Sequence, residues 1–419
     1  MRSSPAFILV LITLLCTMTA AASSSIVNLT LAPGQAEYVD LIAFQNGTEP
    51  WREVSPEGGI HALEVTDAAG RFGVAVVCSG GGADRVRLLE ARVLQATTAE
   101  LTAVTLPCEG AMEPTPRTAE LTGSVSNVAE GFDQLEVLTE HGSGRARREQ
   151  GYAFALAGLT RGVHDVLVAA LDDGQGILHL ALRHGVDVEN GGRVTIDFNS
   201  GAAPAEFGLT VHNALPGRPA SVTTFLRTWN GTSALLSTAF AAPSSNSFEA
   251  TFLTVPTHVL GAGDMHYLNV ATTDEHGQYL GVDRILYEGE ELQLSLPEGH
   301  LDLTAAPVLP GSYPRYGVTW ADVGAALTSS KVSVITPDLH TEWRVSVTRG
   351  WSGENTYHLP DLSSLPSWKP EWNTAPEAVT YANAELSAVF GPVATSLNFI
   401  YDRQPGESRY IRANVVFAH

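Results

Sequence analysis

Apolar and polar residues alternate along most of this chain. "LEVTDAAGRFGVAVVC", "RVTIDF", "HYLNVATT", "ELQLSL", "WRVSVTR" and "YIRANVVF" each place an apolar residue at every second position. Gly, Pro, Asp or Asn bounds each run, which is the pattern of half-buried β-strands. Val, Thr, Leu and aromatic residues fill them, as a pleated surface favours. Helix signals are weak throughout. The pattern predicts an all-β protein of tandem β-sandwich domains, immunoglobulin-like or prealbumin-like.

A repeat supports several domains. "AELTAVTLPCEG" closes at Gly110, "GRVTIDFNSG" at Gly201 and "EELQLSLPEG" at Gly299, 91 and 98 residues apart. That spacing is the size of one small sandwich. "YIRANVVFAH" reads as a fourth closure at the end of the chain. The expected domains are 23–115, 116–203, 204–302 and 303–419, with the Pro- and Glu-rich "EGAMEPTPRTAE" as the clearest boundary.

The second of these segments carries a resemblance. Its marks are the opening L-x-G-x-V at Leu121 to Val125, then "YAFALAGLTRG" from Tyr152 to Gly162, then the closing "GRVTID". Residues 119–198 thereby resemble the carboxypeptidase regulatory-like family, a prealbumin-like β-sandwich. The resemblance implies a non-catalytic module that supports folding, adhesion or substrate presentation. It brings no catalytic residues.

The N-terminus, "MRSSPAFILVLITLLCTMTAAASSS", has one arginine, an apolar run and then small residues. It reads as a signal peptide, residues 1–22, with cleavage near Ala22. The apolar run is about half the ~20 residues a bilayer span needs. Export then gives meaning to the two remaining cysteines, and the expectation is a Cys78–Cys108 disulfide closing a loop of about 30 residues. The predicted location is secreted or periplasmic, in the cell envelope of a bacterium. A net charge of −21, from 45 acidic and 24 basic residues, argues against nucleic-acid partners.

Catalytic and metal motifs are absent: no H-E-x-x-H, no G-x-S-x-G, no P-loop and no dinucleotide fingerprint. No cofactor and no metal site is expected. His258, Asp264 and His266 lie close in sequence but need further ligands from the fold. "DDGQG" at Asp172 and "DEHGQ" at Asp274 read as hairpin turns. Glu140, His141, Arg145, Arg147 and Arg148 read as a solvated hairpin tip. Asn28, Asn46 and Asn230 lie in N-x-T sequons.

Five of the seven tryptophans fall in the last segment, and Trp368 and Trp372 stand out in "SWKPEW". The prolines suggest extended backbone, which would set the two rings on one side about 12–13 Å apart. Two uses fit. The rings could plug the open end of the last sandwich, or form a ligand-binding platform that stacks on sugars. The leading functional reading is a non-catalytic surface, scaffold or binding protein, partnered by a glycan or an envelope protein. The alternative is a carbohydrate-binding or carbohydrate-active protein that uses the C-terminal aromatics.

Overall fold

The computed structural model describes residues 24–31, 39–78, 89–106, 119–172, 176–188, 191–308, 315–321, 327–336, 341–352, 354–369, 372, 381–390 and 406–418. Residues 1–23, which include the expected leader 1–22, lie outside the described residues. Among the described residues there is no α-helix, and strands follow one another along the whole chain.

The strands fall into four groups of seven. The first is β1 (Ser25–Leu31), β2 (Val39–Asn46), β3 (Arg52–Val54), β4 (Ile60–Val65), β5 (Arg71–Cys78), β6 (Leu89–Thr97) and β7 (Ala103–Leu106). The second is β8 (Ala119–Ser126), β9 (Gln134–Leu138), β10 (Ser143–Arg147), β11 (Ala153–Leu159), β12 (Val163–Leu171), β13 (Ile177–Asp187) and β14 (Gly192–Asp197). The third is β15 (Ala205–His212), β16 (Ala220–Arg227), β17 (Ser233–Ala241), β18 (Ser247–Thr254), β19 (Met265–Thr273), β20 (Tyr279–Leu286) and β21 (Leu292–Ser295). The fourth is β22 (Leu303–Val308), β23 (Arg315–Trp320), β24 (Leu327–Thr336), β25 (Thr341–Thr348), β26 (Thr356–His358), β27 (Tyr381–Phe390) and β28 (Gly406–Ala418).

The first three groups share one wiring. Their small sheets run β4-β1-β7, β11-β8-β14 and β18-β15-β21. In each, the first and last strands of the group lie side by side and parallel. Their second layers run β3-β2-β5-β6, β10-β9-β12-β13 and β17-β16-β19-β20. The fourth group departs from this. It pairs β22-β23-β26 and β25-β24-β27-β28. In immunoglobulin lettering those layers are A-B-E and C′-C-F-G, so this sandwich is the immunoglobulin-like one. The last strand of the fourth group, β28, is also paired differently from those of the first three: with β27 and β20, not with the first strand of its own group. Alternation alone cannot separate the two wirings, because both present the same period to the core.

The groups are not beads on a string. β20 pairs antiparallel with β28, and β25 pairs parallel with β6. These two seams merge the second layers of the third, fourth and first groups into one twelve-stranded sheet. The spatial order is thus third, fourth, first, with the fourth sandwich in the middle. The second group keeps its own two sheets. It abuts the third through an apolar cluster in which Leu167, Ala169 and Leu180 meet Leu226, Leu236 and Val255.

The motif residues of the second segment have structural duties. Phe154, Leu156 and Leu159 enter its core. The Tyr152 hydroxyl donates to the Phe132 carbonyl at 2.5 Å. Gly123 sits where β8 passes under a ring: a Cβ there would lie 2.4 Å from Phe154 Cζ and 2.5 Å from the Val194 carbonyl oxygen. One of those neighbours is backbone and cannot swing away. Gly123→Ala is expected to lower stability by about 1–3 kcal/mol, as overpacking does, read as a shift in the urea midpoint with an unchanged slope.

Candidate functional site

Trp368 and Trp372 are 7% and 2% exposed, inside the largest core cluster. Their centroids are 5.0 Å apart with planes at 78°, an edge-to-face contact. The expected 12–13 Å spacing on extended backbone is corrected. The chain here folds through successive tight turns. The N–H of Leu365 donates to Leu362, that of Trp368 to Leu365, and that of Trp372 to Lys369. Pro366 holds the second position of one turn, where its fixed φ serves a turn as well as an extended strip.

These turns share a core cluster with the fourth group, including Tyr316, Val318 and Val334, and with the first. Leu41, Ala43, Ala75, Val77, Ala91 and Val93, from β2, β5 and β6, share the tryptophans' core. Around the edge, the N–H of Ser367 donates to Glu53 at 2.9 Å and Lys369 Nζ donates to Asp40 at 2.5 Å. Lys369 also stands 5.2 Å from the Trp372 ring centroid. Both ring faces are occupied by protein.

The remaining expected site residues scatter. His258 is exposed, while His266 is fully buried and its Nε2 accepts the Val255 N–H at 2.8 Å. Arg145, Arg147 and Arg148 each lie by a separate carboxylate, Glu136, Glu149 and Asp133. Asp274 closes its turn by accepting the N–H groups of His276 and Gln278. Cys78 is buried at the end of β5, and Cys108 lies outside the described residues.

One cluster was not foreseen. Asp165, His184 and Asp264 converge where the second and third groups meet. A bulge creates it. Between the pairs His164–Val186 and Val166–Arg183, the single residue Asp165 faces both His184 and Gly185. Gly185 takes φ of 69°, the left-handed value such a bulge uses. The bulge turns Asp165 and His184 toward the same side. The β16–β17 hairpin then docks on Asp165. Its Asn230 donates through Nδ2 at 3.0 Å and through its N–H at 3.3 Å, and Thr232 Oγ1 donates to the Asp165 carbonyl at 2.8 Å. The Gly185 N–H adds a bond at 3.1 Å. Asp264 accepts from the N–H groups of Trp229 at 2.9 Å and Gly261 at 2.8 Å. His184 stands between the two acids, with Nδ1 3.4 Å from Asp165 and Nε2 3.4 Å from Asp264. Burial pushes the Asp165 pKa up. Polar contacts with Thr228 and Asn230 and the Gly185 N–H outweigh it and hold the pKa below the usual value.

No family model matches the sequence, and no curated protein matches it. Among solved structures there is partial likeness to the Bacillus anthracis TIE protein, at 11% identity and a TM-score of 0.15, covering 65% of this chain and 49% of that one. This chain thus spans about half of the TIE chain. Shaft pilin SpaA from Lactobacillus rhamnosus GG is similar at 9% identity and a TM-score of 0.15, covering 46% of this chain and 98% of that one. At these scores the likeness carries no argument about what this chain does.

Two measurements follow from these placements. Trp368→Ala and Trp372→Ala are each expected to destabilise the chain by about 3–5 kcal/mol, the range for a buried ring removed from a core, seen in denaturant unfolding. The second concerns His266, whose pKa burial pushes down to about 4. The unfolded chain binds that proton first, so stability is full above about pH 6.5 and falls by roughly 3 kcal/mol as pH drops toward 4. His266→Gln, which keeps an acceptor near the Nε2 position, is expected to flatten that part of the stability–pH curve.

Proposed function

We propose that this chain is an exported, non-catalytic surface or scaffold protein whose four sandwiches act as one rigid body. The observation that carries this reading is the pair of seams, β20–β28 and β25–β6, which run backbone hydrogen bonds across domain boundaries. A flexible tether between binding modules has no need of such seams. A structure that must hold a fixed shape does. The acidic surface supports a soluble, well-hydrated exterior. Among the described residues no helix is long and apolar enough to cross a membrane.

The same reading gathers the untested parts. The second domain is a carboxypeptidase regulatory-like module used for structure, since its motif residues serve packing and turns. Cys78 and Cys108 form a disulfide within the first domain, in keeping with an oxidising compartment. The chain is cleaved near Ala22 and resides outside the cytoplasmic membrane. Trp368 and Trp372 join the first and fourth domains rather than stack on a sugar, and the partner is another envelope protein.

Hydrogen exchange on the mature chain tests the rigid body. Amides of β20, β28, β25 and β6 are expected to be protected as strongly as those inside single sandwiches. Fast exchange confined to these four strands, with slow exchange elsewhere, would mean loosely tethered domains and end the proposal. N-terminal sequencing of the chain from its native host is expected to begin near Ser23.

A further inference from the structure

Asp165, His184 and Asp264 each offer one ligand atom, and all three atoms lie within 4.8 Å of one another. They come from the middle of β12, the bulge of β13 and the loop before β19, so only the docked second and third domains assemble them. Both aspartates are buried, at 1% and 2% exposure, while the His184 side chain is 36% exposed. Solvent therefore reaches the cluster from the imidazole side.

The charges call for a cation. Two carboxylates lie out of water and, among the described residues, both have the same histidine as their ion-pair partner. Buried charge of this kind is paired or metal-bound in proteins. Thr228 adds an oxygen to the same pocket: its hydroxyl is wholly buried and in polar contact with Asp165. His184 presents Nδ1 to Asp165 and Nε2 to Asp264, each at 3.4 Å, and one donor atom from each of the three residues lies within 4.8 Å of the others, so modest side-chain shifts bring three donors onto one ion. One imidazole with two carboxylates suits a zinc- or manganese-type ion better than calcium, which prefers an all-oxygen shell.

We propose that Asp165, His184 and Asp264 bind one divalent cation of the zinc or manganese type and so clamp the second domain to the third. The role is structural and holds whether or not the chain is a surface scaffold. The absence of ligand spacing in the sequence does not weigh against it, because three separate segments supply the donors.

The test uses the full mature chain after treatment with EDTA. ZnCl2, MnCl2 and CaCl2 are titrated separately by calorimetry, with thermal unfolding followed in parallel. One equivalent of zinc or manganese is expected to bind and raise the Tm, with calcium at least tenfold weaker. His184→Gln, at a partly exposed position, and Asp264→Asn are each expected to weaken binding about tenfold or more while keeping the parent's circular dichroism. No binding above background would overturn the proposal and leave the imidazole alone as the partner of both acids. Several weak equivalents of any divalent ion, unchanged in both variants, would also overturn it, since they would report only attraction to a chain of charge −21.

Discussion

An unpaired strand edge is the constraint on which this architecture depends. A sheet edge exposes a row of N–H and C=O groups that seek partners. Four such edges, on β20, β28, β25 and β6, are matched to one another here rather than blunted singly. Tyr279–Ile285 meets Gly406–Arg412, and Thr341–Val347 meets Leu89–Gln95. The chain order then ceases to be the spatial order. The first and last domains, far apart in sequence, become neighbours, and "SWKPEW" finds its place on the face of the first.

The β25–β6 seam also shows how charge is managed. In register, Glu342 stands opposite Glu90 and Arg344 opposite Arg92. Like charges directly across a sheet destabilise it. Each strand offsets this internally: Arg92 lies 2.6 Å from Glu90, and Arg344 pairs with Glu342 in the same way. Each strand therefore reaches the seam with its own charges already paired, and the backbone ladder and the tryptophan core on one face hold the two together.

Much of this was legible in the sequence, and the illegible part has a definite physical form. Strand alternation marked the all-β class, and Gly-closed turns marked ends near Gly201 and Gly299. What alternation could not report is burial on both faces. Two strands carried that signal in a form easily passed over. In "RFGVAVVC" the positions between the alternating apolar residues are filled with apolar or small residues too, and "VHDVLVAAL" is filled in the same way from Val166. Such runs mark strands covered on both sides. In β5, Val74 and Val76 face the first domain's own core while Ala75 and Val77 face the fourth domain. In β12, Val166 and Val168 face the second domain's core while Leu167 and Ala169 face the third. The interdomain contacts were thus written as breaks in the period, but the identity of the partner was not, since any apolar face satisfies such a strand. The Asp165 cluster was hidden for a different reason. A bulge shifts the side-chain phase by one residue, and periodicity analysis averages over such a shift.

That bulge bears on specificity between the second and third domains. Their apolar contact, from Leu167 and Leu180 to Leu226 and Leu236, is non-directional and would tolerate a range of angles. Asp165 does not. It accepts from both the side chain and the backbone N–H of Asn230, and its carbonyl accepts from Thr232, so the β16–β17 hairpin can dock in one pose only. The tripeptide Asn230-Gly231-Thr232, which reads as a glycosylation sequon, is in the fold the tongue of this lock. Its amide nitrogen is committed to Asp165, and a glycan there would require the two domains to part. Apolar burial supplies the attraction at this junction. The hydrogen bonds to one buried carboxylate select the angle, because a mispositioned hairpin would leave that charge unsatisfied out of water.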